Sequence, residues 1–355
     1  MHIGFYAATD DRVFTGDTIY NEPLGGIQTS IVLLSRELAK YYDVSVFNNT
    51  PESCICRGVN YHNLSEFKVR SSSLDVVIIL NYEGSAMNDL VTTIPRRIFW
   101  KHHNDPFIPL DLMPEFIDNV DAVVFGSRYS MNTYNDIFQS DKYRVIYPCV
   151  DVEAVVPADH SDRRDMIYIS CPNRGLNLFT KILPRVTDAI PGIQLHSYGT
   201  FQVYGNNWIG SDMDHRMRPD YIELSRLPNF HQHRSVSYYE IMKLLGCAMI
   251  FTYPCVFLES FGAATAMAMA NGTPVITSKV GATRTLYPDY PYNIDIPDDD
   301  LGMAHTDEYA DEFTNMVLKL WDPEEWNRIS NEVMGLSARF DVNVIAREWL
   351  HLLEE

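Results

Sequence analysis

The chain has 355 residues, 46% of them hydrophobic and 21% charged, with a formal net charge of −19 at pH 7. Its length favours two domains over a single hydrophobic core. The acidic balance argues against a surface that grips nucleic acid or anionic lipid. The longest apolar runs are too short to cross a bilayer, so we expect membrane contact to be peripheral at most.

The first half of the chain alternates short apolar strands with helical or loop sequence. Strands are predicted at residues 2–6, 44–47, 76–80, 98–100 and 122–125, and 144–148 closes this half. A helix is predicted over about 27–40, because Ile27, Ile31 and Leu34 fall on one face. The polar stretch 155–165 contains a proline and is a plausible linker.

The second half repeats this order of elements. Strands are predicted at 166–169, 193–198, 229–231, 248–252 and 274–277, and helices at about 176–190, 238–245, 307–320, 324–336 and 342–353. Strands that alternate with helices imply parallel sheets with covered faces. We therefore predict two α/β domains that face each other across a cleft, with ligands at the carboxyl ends of the strands.

The most informative stretch runs over 251–277, FTYPCVFLESFGAATAMAMANGTPVIT. A loop with Glu259 and Gly262 joins a buried strand to a helix of small residues. The exposed N–H groups at the start of such a helix, and the positive end of its dipole, suit a phosphate. A carboxylate beside an anion site fits a ligand that carries both phosphates and hydroxyls, as a nucleotide sugar does.

Two further turns can bring backbone or cationic groups to a phosphate. Gly25 and Gly26 precede the first helix and let the backbone approach a ligand, although a Gly-Gly pair is also an ordinary flexible turn. Arg174 follows the first strand of the second half and can meet a diphosphate with a charge-assisted fork. Ser170 and Asn173 can donate to the same oxygens; the alternative is a capping turn with a surface arginine.

Histidines follow two other strands. His102 and His103 can hydrogen-bond sugar hydroxyls or assist proton transfer near neutral pH, and we favour His103. Asn104 and Asp105 are interpreted as loop-capping residues. His231 begins the segment HQHR, which can bring a second positive charge to phosphates or a hydrogen-bond donor to a base. The equally open alternative is that this segment only leads into the next helix, which Ser235 or Ser237 would cap.

No metal site is predicted. The acidic run Asp298–Asp300 resembles a metal motif by composition only, and Cys54-Ile55-Cys56 has no second pair or histidine at zinc spacing. The six cysteines do not form the pattern of a disulfide framework. Since no basic region followed by an apolar core marks a secretory signal, we expect free thiols and a cytoplasmic location.

Taken together, these residues resemble the retaining glycosyltransferases of the GT-B fold, specifically glycosyltransferase family four. The matches run in the family's order over nearly the whole length. The most specific is Glu259–Gly262 followed by Gly272-Thr273-Pro274. The others, in chain order, are Gly25-Gly26 with the helix behind them, His102-His103, 122–129, 147–151 and 167–176.

The resemblance implies an α/β protein with two Rossmann-like domains whose parallel sheets face each other across a cleft. The acceptor-side domain would span residues 1–150 and be completed by the C-terminal helix 342–355, and the donor-side domain would span 151–341. The implied reaction moves a sugar, with retention, from a nucleotide-diphosphate sugar such as a UDP- or GDP-sugar to a carbohydrate or glycoconjugate acceptor. No metal or other cofactor is implied.

The resemblance also implies roles for individual residues. Glu259 would contact the donor sugar hydroxyls, and His103 would bind sugar or acceptor. Arg174 would stabilise the diphosphate as one half of the family's basic pair, whose other half is not assigned; the spacing of Lys181 does not settle it. Backbone N–H groups would also hold the diphosphate, here those of Phe261, Gly262 and Ala263.

One position departs from the family. Its members usually carry a second glutamate eight positions after the first, which holds the nucleotide ribose, and here that position is Met267. A thioether is a weak acceptor, and losing one such bond weakens donor affinity by about 0.5–1.5 kcal/mol. Met267 therefore leaves a non-catalytic sugar-nucleotide-binding protein open as an alternative, and a GT-B-fold epimerase or phosphorylase is the alternative enzyme.

Overall fold

Two parallel sheets organise the chain in a computed structural model that describes residues 1–8, 12–80, 94–104, 113–155, 161 and 163–355. In these residues the first sheet has eight strands, in the order β3-β4-β2-β1-β5-β6-β7-β8. Neighbours pair in parallel except β3 and β4. The strands are β1 (His2–Tyr6), β2 (Asp43–Asn48), β3 (Cys54–Cys56), β4 (Val59–Asn63), β5 (Val76–Leu80), β6 (Arg96–Lys101), β7 (Ala122–Phe125) and β8 (Tyr143–Val145).

The second sheet has six strands within the same described ranges, in the order β11-β10-β9-β12-β13-β14, and every pair is parallel. These strands are β9 (Arg164–Tyr168), β10 (Leu195–Ser197), β11 (Phe230–Gln232), β12 (Ala248–Tyr253), β13 (Val275–Lys279) and β14 (Asn293–Asp295). The two parallel α/β sheets confirm the predicted fold class. The predicted linker 155–165 lies largely outside the described residues.

Helices cover both sheets. Those of the first half are α1 (Thr18–Asn21), α2 (Gly26–Leu38), α3 (Phe67–Arg70), α4 (Met113–Asp118) and α5 (Arg128–Asn135). Those of the second half are α6 (Phe179–Ala189), α7 (Asp212–Arg216), α8 (Arg218–Leu224), α9 (Tyr238–Cys247), α10 (Ala263–Ala270), α11 (Thr283–Leu286), α12 (Asp307–Leu320), α13 (Pro323–Ser337) and α14 (Val342–Glu354).

Strand composition explains both the correct and the missed predictions. β5 and β7 have the predicted bounds, because both are short apolar runs buried at every position. β4 was not predicted, since its sequence VNYHN mixes polar and apolar residues. A tight reversal at Arg57 (φ 51°) and Gly58 (φ 81°) pairs it with β3 at the sheet edge. The short strand β14 was also not predicted.

The last helix, α14, packs on the first sheet rather than on the second. Trp349 lies edge-on to Trp100 of β6, with ring centroids 5.1 Å apart. Arg96 of the same strand donates to the carbonyl oxygens of Leu353 at 3.0 Å and Leu352 at 2.5 Å. The chain therefore returns to its first half at the C-terminus. The exact domain boundaries, 1–150 and 151–341, stay a prediction.

We expect Trp349→Ala to lower the free energy of unfolding by about 3–5 kcal/mol, because a large ring leaves the core and a cavity remains. Trp349 is fully buried, and its Nε1 has no partner among the residues that the structure describes, so the loss is one of packing. Urea denaturation measures the change. His351→Ala is the control on the same helix, since that side chain is 82% exposed. Equal stability of the two variants would show that α14 is not anchored through Trp349.

Candidate active site

A cavity of about 230 Å³ lies between the two sheets, and both halves of the chain line it. Most of the residues singled out in the sequence meet there. The lining includes Gly25, Gly26, His102, His103, Ser170, Arg174, Glu259, Phe261, Gly262 and Ala263. The carboxyl ends of β6, β9 and β12 and the starts of α2 and α10 therefore converge on one cleft, as parallel α/β sheets predict.

Two of the predicted residues lie elsewhere. Asn173 is exposed and does not line the cavity, although Arg174 next to it does. His231 lies on β11, where its Nε2 is 2.7 Å from Gln194 Oε1 and its ring stacks on His196 with centroids 5.0 Å apart. Neither residue is placed to contact a ligand in this cavity.

The carboxylate of Glu259 is the buried charge at the centre of the cavity. Arg174 donates to Glu259 Oε1 at 2.6 Å, and its guanidinium carbon lies 4.3 Å from the centre of the Phe257 ring. Burial is the largest single influence and lowers the pKa of Arg174, but the Glu259 carboxylate, Tyr253, Tyr204 and Cys171 together outweigh it and hold that pKa well above its usual value. The site therefore keeps one permanent positive charge beside its carboxylate.

A second hydrogen bond to the same oxygen comes from Tyr253, which sequence reasoning missed. Its hydroxyl donates to Glu259 Oε1 at 2.5 Å and accepts from Ser170 Oγ at 3.2 Å. Tyr253 is buried at the end of β12, in an apolar run that is typical of core residues. Both hydrogen bonds of the Glu259 carboxylate within the described residues go to Oε1, so Oε2 is the oxygen left for a ligand.

An uncapped helix start lies beside this carboxylate. Gly262 has φ 84°, a left-handed conformation that favours glycine, and α10 begins directly after it. No side chain caps the helix, and Ala263 and Ala264 line the cavity. The first N–H groups of the helix and the positive end of its dipole therefore reach the cavity wall. Met267, one turn further along α10, also lines the cavity.

The glycine loop of the first half lies against this helix start. A Cβ atom added to Gly26 would be 3.7 Å from Cβ of Ala263. One added to Gly25 would be 2.7 Å from Gln28 Oε1 and 3.7 Å from the carbonyl oxygen of Val203. Val203 lies in the segment 199–218, of which Val203 and Tyr204 line the cavity. A Cβ atom at either glycine would thus be in ordinary van der Waals contact with the second half, so this loop lies close to the start of α10 and to Val203.

The two adjacent histidines have different environments. His103 is exposed in the cavity, which suits contact with a ligand hydroxyl. His102 is buried against Trp100, with ring centroids 4.4 Å apart. Burial, together with the nearby His103 and Lys101, lowers the pKa of His102 to about 3. His102 is therefore neutral at physiological pH, and only His103 offers a solvent-facing imidazole.

Other features bear on cofactors and membranes. Within the described ranges no group of three or more His, Cys, Asp or Glu residues is placed to hold a metal ion. Lys181, left unassigned above, bonds the carbonyl oxygen of His305 at 2.8 Å and Asp307 at 3.2 Å, and it does not line the cavity. In the part of the chain that was searched, no helix has the length and apolarity needed to span a membrane.

We expect the neutral His102 to make stability depend on pH. Below pH 6.5 the unfolded chain gains a proton at this residue, whereas the folded chain gains it only near pH 3, so stability falls as pH falls. His102→Gln should make the free energy of unfolding less dependent on pH: between pH 6 and 4.5, its slope against pH should fall by about 1 kcal/mol per pH unit. His351→Gln, at an exposed position, is the control. A slope unchanged by His102→Gln would contradict the buried neutral state.

Comparison with known proteins adds a family match in the second half. Residues 165–322, which contain Arg174, Glu259 and Met267, match the family described as "Glycosyl transferases group 1". Comparison with curated protein sequences finds no match.

Solved structures match over the whole chain. Sucrose-phosphate synthase from Thermosynechococcus elongatus has a TM-score of 0.75 at 15% identity, covering 99% of this chain and 98% of that one. Anabaena HepE in complex with UDP-glucose has a TM-score of 0.73 at 13% identity, covering 100% and 99%. An E. coli trehalose-6-phosphate protein bound with UDP-2-fluoro glucose has a TM-score of 0.70 at 10% identity, covering 100% and 99%.

At these identities the structural likeness shows the fold, and the family match identifies the catalytic class. The resemblance to GT-B-fold glycosyltransferases is confirmed, and family four is consistent with these matches. The whole chain thus has the GT-B fold, and its residues 165–322 match glycosyl transferases group 1.

Proposed function

We propose that the chain transfers a sugar from a nucleotide-diphosphate sugar to a hydroxyl of a glycan or other acceptor, with retention. One observation carries the proposal: the buried carboxylate of Glu259 lies beside Arg174 and the uncapped start of α10, in a cavity lined by both halves. A carboxylate suits sugar hydroxyls, whereas the guanidinium and helix start suit a diphosphate.

Arg174 has enough N–H groups to bind Glu259 and a phosphate at the same time. A guanidinium has five N–H donors, and two of its described contacts go to Glu259 at 2.6 Å and Tyr204 at 3.4 Å. The remaining N–H groups can bind the leaving diphosphate. With the N–H groups of Gly262 and Ala263, they would stabilise the charge that develops as the glycosidic bond breaks. This arrangement supplies positive charge without a metal, and metal independence is part of the proposal.

The donor sugar would lie at Glu259 Oε2, with the acceptor entering from the side of His103. His103 belongs to the first half of the chain and faces the same cavity. We propose a UDP-sugar donor, since the structures of HepE with UDP-glucose and of the E. coli protein with UDP-2-fluoro glucose have this fold. A cytoplasmic location also belongs to the proposal, and the six free thiols support a reducing compartment.

Glu259→Gln tests the sugar-binding role. We expect it to lower glycosyl transfer at least about 100-fold, because the amide is a poorer acceptor for hydroxyls that bind more tightly in the transition state. Thermal shift should show the stabilisation by UDP-glucose reduced and that by UDP retained. Glu22→Gln is the control, since the Glu22 side chain is 59% exposed and does not line the cavity. Unchanged transfer by a folded Glu259→Gln protein would refute the role.

The open alternatives are separated by a product assay. A panel of UDP- and GDP-sugars, each supplied with and without a glycan acceptor, is followed by separation of the products. A transferase forms a new glycoside only with acceptor, whereas an epimerase converts the donor without one. Binding of a donor without any conversion would favour the non-catalytic alternative.

Met267 predicts weak recognition of the ribose. If no strong acceptor holds the 2′-hydroxyl, UDP and 2′-deoxy-UDP should bind with affinities that differ by less than about threefold. Met267→Glu should restore a preference for UDP of up to about tenfold, corresponding to 0.5–1.5 kcal/mol. Calorimetric titration measures both affinities, and Met267→Leu is the apolar control. A strong preference for UDP in the natural chain would show that another residue holds the ribose.

A further inference from the structure

Two hydrogen bonds between the halves of the chain flank Glu259. Asn104, in the loop after β6, donates through Nδ2 to the carbonyl oxygen of Leu258 at 2.6 Å. Ser260 Oγ donates to the carbonyl oxygen of His102 at 2.5 Å. Leu258 and Ser260 are the chain neighbours of Glu259, so a loop of the first half holds the backbone on both sides of the carboxylate that we assign to the donor sugar.

The Asn104 amide is hydrogen-bonded at both ends. The hydroxyl of Ser130, a buried residue of α5, donates to Asn104 Oδ1. An amide turned the other way would place its oxygen against the carbonyl oxygen of Leu258, where neither atom can donate. The Leu258 carbonyl, which can only accept, therefore selects the orientation, and the Ser130 hydroxyl binds the other end of the amide.

The second half of the chain holds the same backbone from the opposite side. The N–H of Ala282 donates to the carbonyl oxygen of Glu259 at 2.8 Å. A Cβ atom added to Gly281 would lie 2.7 Å from the backbone nitrogen of Glu259, so this loop is in close contact. The loop that contains Glu259 thus lies between the loop after β6 and the Gly281–Ala282 loop. From the first half, the side chain of Asn104 bonds the backbone of this loop at Leu258.

We infer that Asn104 is a positioning residue for the donor sugar: through Leu258 it holds Glu259 in place and couples that carboxylate to the closure of the two halves. This inference rests on the proposed function, because it acts through the sugar-binding role of Glu259. It assigns no direct contact with the diphosphate, which lies at Arg174 and the start of α10. Loss of the bond should therefore affect the sugar and spare the nucleotide.

Asn104→Asp is the sharpest test, because it keeps the shape and replaces the donor with a second acceptor against the Leu258 carbonyl. We expect affinity for UDP to stay within about twofold and affinity for UDP-glucose to fall about tenfold by calorimetric titration. Ser130→Ala should act in the same direction more weakly. Asn119→Asp is the matched control, since Asn119 Nδ2 donates to the carbonyl oxygen of Glu115 within the first half at 2.9 Å.

A double-mutant cycle separates positioning from general structural damage. If Asn104 acts through Glu259, adding Asn104→Asp to Glu259→Gln should cost little further affinity for UDP-glucose. Additive losses, an equal loss for UDP and UDP-glucose, or wild-type behaviour of Asn104→Asp would each overturn the inference. If Asn104→Asp does not fold, Ser130→Ala answers the same question. Failure of the natural chain to bind any sugar nucleotide would instead refute the proposed function.

Discussion

The ion pair between Arg174 and Glu259 is the constraint on which the site depends. A buried carboxylate costs several kcal/mol unless charged and hydrogen-bonding partners compensate it. Here compensation comes from Arg174, placed by the turn after β9, and from Tyr253, placed at the end of β12. Since β9 and β12 are adjacent parallel strands, their carboxyl ends bring both partners to one oxygen of Glu259, and the described residues make no hydrogen bond to the other.

The first half of the chain completes this site rather than merely covering it. Gly26 lies against Ala263 at the helix start, and the loop after β6 bonds to both chain neighbours of Glu259. A sugar bound at Glu259 would therefore be linked, through these hydrogen bonds, to the half of the chain that would bind the acceptor. The hydrogen bonds that join the two halves here also hold the backbone around Glu259. The position of the donor sugar and the contact between the halves therefore depend on the same bonds, which would help to align the two substrates.

Sequence reasoning succeeded where the relevant signal is local. The buried runs of β5 and β7 and the alternation of strands with helices predicted the parallel sheets, and the segment from Glu259 to Gly262 predicted a carboxylate beside a helix start. Asn173 was misplaced because a 3₁₀ turn points successive side chains about 120° apart, so that Arg174 lines the cavity while Asn173 faces solvent.

Contacts between distant segments were not predictable. Asn104 was interpreted as a loop cap, whereas its amide bonds Leu258, 154 positions along the chain. Tyr253 was not singled out, because it lies in an apolar run that is typical of core residues. Its hydroxyl contacts Glu259 and Ser170 only when the strands pair in the folded protein. Such pairings arise from tertiary packing, and the spacing of residues in one sequence does not encode them visibly.

A crystal structure of the chain with UDP-glucose tests the central claim most directly. We expect the sugar hydroxyls to contact Glu259 Oε2, and the diphosphate to lie between Arg174 and the backbone N–H groups at the start of α10. We also expect the hydrogen bond from Asn104 to Leu258 to be kept. A sugar nucleotide bound away from Glu259, or with its diphosphate remote from Arg174, would contradict this claim.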